Sequence, residues 1–310
     1  MTRVALIVTV RDEAETIGEV LSSVDTQTRA PNEVIVVDGG STDGTAELVE
    51  EWARTRPHAT LMRAPGTNIA AGRNRAIERT SAEAVAVTDA GCVLDAKWLQ
   101  LLCEALTDAD VAMGYYVPLA HRSFERIATC LTVPDADEID PDRFMPSSRS
   151  LAFRRDVWTS VGGYPEWLDV GEDMYFDFAM VAAGFRRRFV PQAIVGWRPR
   201  STLPGFLRQY FRYARGDAVA GMYTQRHAAR FGAYGATAVT AGLAGRWPWL
   251  VALPVAGAGF WLRPAYRRAR RRLDSGRAVA YVAIPFVAAL QDGAKMAGYI
   301  AGLPRRSKRR

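Results

Sequence analysis

Three acidic positions fall where apolar, β-branched runs stop. Val4-Ala-Leu-Ile-Val-Thr9-Val10 gives way to Arg11-Asp-Glu13, Glu33-Val-Ile-Val-Val37 to Asp38-Gly39-Gly-Ser41-Thr-Asp43-Gly-Thr, and Ala84-Val-Ala-Val-Thr88 to Asp89-Ala90-Gly91-Cys92. If the runs are neighbouring strands, these carboxylates converge on one crevice. Carboxylates accept hydrogen bonds from a nucleobase N–H and from ribose hydroxyls, and they can hold a divalent cation on a diphosphate. Gly39, Gly40 and Gly44 let the backbone turn tightly and approach a ligand. Each loop alone also fits an ordinary turn ahead of a helix, with Asp43 as its N-cap. Three of them at successive strand ends point to a site. The glycine spacing matches neither G-x-G-x-x-G nor a P-loop, which disfavours dinucleotide and NTPase chemistry.

The elements that would position these groups alternate. Helical apolar spacing over residues 16–27 (Ile17, Val20, Leu21, Val24) follows the first run, and Leu48, Val49 and Trp52 share one face of a helix over 45–55. A weak strand at 60–62, a helix over 69–80, a helix over 97–106 and a strand over 110–117 continue the pattern. Strands alternating with single helices predict an α/β fold, a mostly parallel sheet with helices on both faces. Ligands of such sheets lie outside the carboxyl ends of the strands, here just after Val10, Val37 and Thr88. Residues 118–148 read as an inserted helix and loop, and 149–154 as a strand. Residues 172–183 form a helix ended by Gly184, and 185–190 and 193–197 are short strands. Residues 203–220 form an Arg-rich amphipathic helix.

The ordered set resembles the family 2 glycosyltransferases of the GT-A fold, whose nucleotide-binding part is a Rossmann-like sheet. The resemblance runs from Val4 to about Asp217. It is carried by Arg11-Asp-Glu-Ala-Glu-Thr-Ile17, Asp38-Gly-Gly-Ser-Thr-Asp43-Gly, Gly72-Arg73-Asn74, Asp89-Ala90-Gly91, and Gly162-Gly-Tyr164 ahead of Glu172-Asp173. It implies transfer of a sugar, with inversion, from a nucleotide-diphosphate sugar to an acceptor hydroxyl. Thr9, Val10, Arg11 and Glu13 would line the nucleotide pocket. Asp38, with Gly39 and Ser41, would read the base, and Arg73 would lie near base or phosphates. Asp89 begins the family's D-x-D element, which meets ribose and metal. Asp173 would be the general base, with Glu172 holding the acceptor or orienting Asp173. Such a reaction needs one carboxylate behind the acceptor hydroxyl and positive charge on the departing diphosphate. Gln209-Tyr-Phe-Arg212-Tyr213-Ala-Arg215 resembles the Q-x-x-R-W element of membrane-bound relatives, near acceptor and diphosphate, with Tyr213 in place of Trp. Arg212 and Arg215 suit phosphate oxygens.

Two departures bear on metal binding. Gly91 stands where the D-x-D element has its second carboxylate, and Val195-Gly-Trp197-Arg-Pro-Arg200 lacks the family's late His. The expected cofactor is a divalent cation, Mg2+ or Mn2+, held by Asp89 and the diphosphate, with arginines replacing part of its charge.

Charge divides the chain. Residues 1–200 carry 21 Lys and Arg against 30 Asp and Glu; residues 201–310 carry 19 against 3. Two parts with different partners are implied. The expected organisation is a nucleotide-sugar half at 1–117, an acceptor-binding catalytic half at 118–222, and a basic apolar helical region at 223–310. Two uncharged runs, residues 247–262 and 278–290, are shorter than the about 20 residues of a spanning helix. Basic residues follow both runs, which favours re-entrant or interfacial segments over spans, although flanking Ala and Gly could lengthen them into tilted helices. The expected partners are therefore a nucleotide-diphosphate sugar, a lipid-linked or glycan acceptor and an anionic membrane surface, with no nucleic acid. Three cysteines, an odd number in no zinc pattern, suit a reducing cytosol. No signal peptide is read, and the expected location is the cytoplasmic face of a membrane. A nucleotidyltransferase would carry a Gly- and Lys-rich loop after the first strand, where this chain is acidic. A basic adaptor, the non-enzymatic alternative, would leave the strand-end carboxylates unexplained.

Overall fold

The computed structural model describes residues 2–307. In chain order the elements begin β1 (Val4–Val10), α1 (Ile17–Asp25), β2 (Glu33–Asp38), α2 (Thr45–Ala53), β3 (Ala59–Arg63), α3 (Ile69–Arg79), β4 (Ala84–Asp89), β5 (Cys92–Leu94), α4 (Trp98–Ala105) and β6 (Val111–Pro118). They continue with α5 (Ser123–Thr132), β7 (Leu151–Arg154), α6 (Arg155–Val161), α7 (Glu172–Ala182), β8 (Arg187–Trp197), α8 (Leu203–Ala220), α9 (Thr224–Leu243), α10 (Ala252–Arg272) and α11 (Arg277–Ser307). The chain divides into two compact units. One runs to Leu119 and resumes over Ile139–Arg198; the other takes Ala120–Glu138 and the described chain from Pro199 on.

The first unit is built on one sheet in the order β3-β2-β1-β4-β7-β6-β8-β5. β1 is buried on both faces because its residues alternate between two cores. Val4, Leu6, Val8 and Val10 pack with α1, α2 and α4, while Ala5 and Ile7 pack with α3, α6 and α7. A side chain such as Leu6, fully buried here, costs about 2–5 kcal/mol to truncate to Ala. The sheet is mixed: β7 runs antiparallel between β4 and β6, and β5 antiparallel to β8, while the other six strands share one direction. The two short strands expected at 185–190 and 193–197 are one strand. Gly114 pairs with Val190 and Tyr115 with Ile194, so Pro191-Gln192-Ala193 bulges out of the ladder. A proline has no N–H to give the ladder, which is why the sequence looks interrupted there.

The register sets the site. Thr9 lies beside Asp89 and Val10 beside Asp38. Chain order reverses between β1 and β4, so the strand-end carboxylates flank a topological switch point.

The second unit is helical. α8 and α11 approach closely because Gly298 and Gly302, four residues apart, face the backbone carbonyls of Phe211 and Arg215, where a Cβ would clash. Ile127 and Cys130 of α5 pack with Leu262, Ala265, Ala269 and Leu273, and with Ala280 and Ile284 of α11. Much of the basic stretch 263–273 is neutralised within the unit. Arg268 meets Glu138 at 2.5 Å, Arg272 meets Asp135 at 2.5 Å, and Arg271 meets Asp137 at 2.9 Å. Among the described residues no helix is long and apolar enough to cross a membrane. Lys308, Arg309 and Arg310, the end of the closing basic run, lie outside the described residues.

Candidate active site

The loops after β1 and β2 are laced together. Asp12, in the left-handed region (φ 53°), accepts the Thr42 N–H at 2.9 Å, and its own N–H donates to Ser41 Oγ at 2.9 Å. Glu13 N–H donates to Thr45 Oγ1 at 2.8 Å and Ala14 N–H to Asp43 at 2.9 Å. Asp43 thus braces the neighbouring loop as well as the start of its own helix. Asp38 is buried, and its carboxylate accepts the Gly40 N–H, the Ser41 N–H and the Ser41 hydroxyl. Gly39 N–H donates to the Val10 carbonyl at 2.9 Å, closing the β1 and β2 ends against each other. Arg11 is exposed, Thr9 half-buried and Ala90 buried.

Gly72-Arg73-Asn74 and Gly162-Gly-Tyr164, far apart in sequence, act as one device. A Cβ on Gly72 would stand 3.2 Å from Thr9 Cγ2, so the glycine lets α3 seat closely on β1. Asn74 Oδ1 accepts from Trp158 Nε1 and from the Tyr164 N–H, each at 2.9 Å, and its amide donates to the Tyr164 carbonyl and to Glu166. Gly163 (φ 75°) comes so close to Asn74 and Trp158 that a side chain there would collide with both. The staple fixes the strand of chain that leads into α7.

Between these parts sits Arg73, almost wholly buried. One guanidinium nitrogen donates to Asp89 at 2.9 Å and another to Glu172 at 2.9 Å, and the group lies 5.2 Å from the centre of the Tyr164 ring. The two carboxylates hold Arg73 firmly protonated against its burial. Arg149 reaches to 3.8 Å from the other Asp89 oxygen and lies over the rings of Tyr116 and Trp197, at 4.8 and 5.0 Å. Asp89 is therefore a partly exposed carboxylate between two arginines.

α7 opens with Glu172 and Asp173, acids that suit the positive end of a helix. Glu172 is buried. Burial, and after it the neighbouring Asp173 charge, raise its pKa, with Arg73 pulling the other way. Asp173 is half-buried and accepts from Ser147 Oγ at 3.3 Å and from the Met174 N–H at 2.8 Å. One turn further along the same face lies Asp177, 1% exposed, with neither carboxylate oxygen bonded among the described residues. Burial, with the Asp173 charge behind it, raises its pKa well above the ordinary carboxylate value, which favours the protonated acid. Asp177, Arg149, Ser147 and Asn74's stapling role were not foreseen. Only the i, i+4 spacing of Asp173 and Asp177 could have pointed to the first.

The structure thus brings Thr9, Asp89, Arg73, Glu172 and Asp173 into one connected group, with Asp38 and Ser41 one strand away. Gln209, Arg212 and Arg215 lie on α8, in the second unit, where Gln209 donates to the Tyr213 hydroxyl at 2.6 Å. Among the described residues no cluster of three His, Cys, Asp or Glu could hold a metal. The charged groups there are one carboxylate, Asp89 itself, and the guanidiniums of Arg73 and Arg149. That set fits a cation taking one protein carboxylate and otherwise water and phosphate oxygens, not one caged by protein. Cys92 is buried, its thiol pushed up to about 12 by burial, and it packs in the core as a small apolar residue.

Two family models overlay this arrangement: glycosyl transferase family 2 over residues 5–149, and glycosyl transferase family group 2 over residues 84–290. The chain belongs to glycosyltransferase family 2. This glycosyltransferase is 28% identical over 222 residues to glycosyltransferase AglE of Haloferax volcanii, covering 69% of this chain and 72% of that protein. It is 26% identical over 200 residues to the succinoglycan biosynthesis protein ExoA of Rhizobium meliloti, covering 60% of this chain and 59% of that protein. Its fold matches the mannosyltransferase PcManGT of Pyrobaculum calidifontis, solved with GDP-Man and Mn2+, at a TM-score of 0.60 and 22% identity, over 97% of this chain and 87% of that one. The enzyme therefore has the GT-A-like α/β fold.

Proposed function

We propose that the enzyme is an inverting glycosyltransferase that moves a sugar from a nucleoside-diphosphate sugar to a hydroxyl of a membrane-linked lipid or glycan, at the cytoplasmic face of the membrane. The observation that carries this reading is the buried Arg73 bridge. It joins Asp89, at the strand-end crevice, to Glu172 and so to Asp173. Donor-side and base-side groups are held in one rigid unit, as in-line displacement requires.

Asp38 and the Thr9–Glu13 loop face the nucleoside, with Ser41 able to release Asp38 to a base N–H. Asp89 meets the ribose and holds the divalent cation, Mg2+ or Mn2+, jointly with the diphosphate; bound, that cation neutralises charge on the leaving group. Arg149, beside Asp89, supplies a further donor for the diphosphate. Asp173, partly exposed at the start of α7, takes the proton from the acceptor hydroxyl as its oxygen attacks the anomeric carbon. Glu172, tied to Arg73, fixes the backbone that carries Asp173. The similarity to a glycosyltransferase and to a succinoglycan biosynthesis protein supports the reading.

The test is donor binding and transfer across a panel of sugar nucleotides, with and without Mg2+ or Mn2+. Asp89→Ala is expected to weaken donor binding. Gly91→Asp is expected to strengthen Mn2+ dependence, because a Cβ at Gly91 meets nothing within 4 Å and would restore a second carboxylate. A protein that binds no sugar nucleotide under any of these conditions would refute the reading.

A further inference from the structure

α9 and α10 form a hairpin whose distal halves are almost entirely exposed, and whose composition does not suit water. Residues 231–262 contain a single charged side chain, Arg246. Val239, Leu243, Trp247, Trp249, Val251, Leu253, Val255, Phe260 and Trp261 are all exposed, Trp249 by 66%, Phe260 by 74% and Trp261 by 71%. α11 adds Val279, Val282 and Phe286, an exposed stripe at i, i+3, i+7. A patch of this size on a soluble monomer marks an interaction surface.

The base of the hairpin is pinned. His227 is buried, stacked on Tyr299 at 4.1 Å and 2.9 Å from Asp217, and Arg230 meets Asp292 at 2.7 Å. Beyond these contacts the hairpin leaves the protein core. It is exposed around its circumference, and a docked protein would cover one side and leave the other in water. A membrane interface adapts to the whole of it, with acyl chains against the deep side and headgroups against the shallow side. Three features fix how it would lie there. The apolar arms are too short to cross a bilayer. Arg246 sits at the turn, and an arginine at bilayer mid-depth is strongly disfavoured. Trp247 and Trp249 beside it belong to the residue type that settles at the headgroup level.

We propose that the α9–α10 hairpin lies in the plane of the membrane interface, with Arg246, Trp247 and Trp249 at headgroup depth and Leu253, Phe260 and Trp261 in the upper acyl region. This deepens the membrane part of the proposed function and specifies its energetics. Arg268, Arg271 and Arg272 are engaged by Asp135, Asp137 and Glu138, so attachment is driven by apolar area rather than by the basic cluster. Arg263 and Arg270, which form no ion pair among the described residues, add an anionic-lipid preference of secondary size.

The experiment is sedimentation of the full chain with phosphatidylcholine vesicles, with and without a minority of phosphatidylglycerol, combined with tryptophan quenching by lipids brominated near the headgroup or near the chain end. Expected are binding that persists in high salt, stronger quenching by the shallow bromines, and at least about a tenfold loss of vesicle partition in Phe260→Glu/Trp261→Glu. Both positions are exposed, so the variant keeps its melting temperature and its sugar-nucleotide binding; a failure of the glycosyltransferase reading would appear in that binding, not in sedimentation. Absence of vesicle binding, binding abolished by salt, stronger deep quenching, or a variant that partitions like the parent would each overturn the proposal. So would a lipid-free dimer in which these tryptophans are already shielded.

Discussion

The group around Arg73 and the α9–α10 hairpin invert each other's chemistry. In the first, charged side chains are turned inward: Arg73 and Glu172 are buried, and their ion pairs and the Asn74 staple hold the start of α7 in place. In the second, tryptophan, phenylalanine and valine are turned outward on a stretch with one charge. Each arrangement is costly for a protein alone in water. Buried charge is tolerated where geometry must be held for a polar ligand. Exposed apolar area is tolerated where water is replaced by another medium. On the proposed reading the two regions meet two different partners.

The largest effect should come from the proposed base. Asp173→Asn is expected to lower kcat by about 10²–10⁴-fold, the range for loss of a general base, with donor binding and melting temperature unchanged. Steady-state kinetics beside calorimetric donor titration checks both. Next is Arg73→Met, which strands the buried Glu172 and leaves Asp89 only Arg149; a loss of about 3–5 kcal/mol of stability is expected. Chemical denaturation reads it, and a loss under about 1 kcal/mol would mean that water already serves these carboxylates. A matched pair of truncations sharpens the comparison. Phe176→Ala, in the core against Tyr164 and Phe153, should cost about 3–5 kcal/mol. Phe260→Ala, on the exposed hairpin, should change stability in detergent-free buffer by no more than about 0.5 kcal/mol.

Asp177 supplies a smaller, pH-dependent effect. Its folded pKa is raised, so the native state holds a proton that the unfolded state gives up above its ordinary pKa of about 4. The Asp177 contribution is therefore fully present below that pH and declines as pH rises toward the folded pKa. Asp177→Asn, neutral and of similar shape, should show a shallower fall in melting temperature than the parent as pH rises above about 4. Parallel melting curves for the two proteins would show that Asp177 ionises freely in the fold.

Much of the framework could be read from residue patterns. β1, β2 and β4 appear as unbroken apolar runs because a strand covered on both faces has no polar positions, and Asp38 and Asp89 stand where those runs end. α8 occupies the span, Leu203–Ala220, that its amphipathic, Arg-rich spacing predicts. Other features depend on partners far along the chain. β5 is three residues long and is defined by its pairing with β8. β8 looks like two strands because Pro191 sits in a bulge whose pairing resumes at Ile194. Arg149 looks like the start of a strand, and only the fold brings it beside Asp89 and over Tyr116 and Trp197. The arginines of 263–273 look like a surface cluster, and only the fold supplies Asp135, Asp137 and Glu138 to meet four of them. Pairwise burial of charge leaves no local periodicity, which is why the site's frame could be anticipated and its wiring could not.

The most direct test of the account compares the parent with Asp89→Ala and Asp173→Asn for binding and transfer of a nucleoside-diphosphate sugar. The account predicts that the parent binds and turns over one donor, that Asp89→Ala binds it weakly, and that Asp173→Asn binds it normally without turnover. An Asp173→Asn enzyme that transfers sugar at the parent's rate would contradict it.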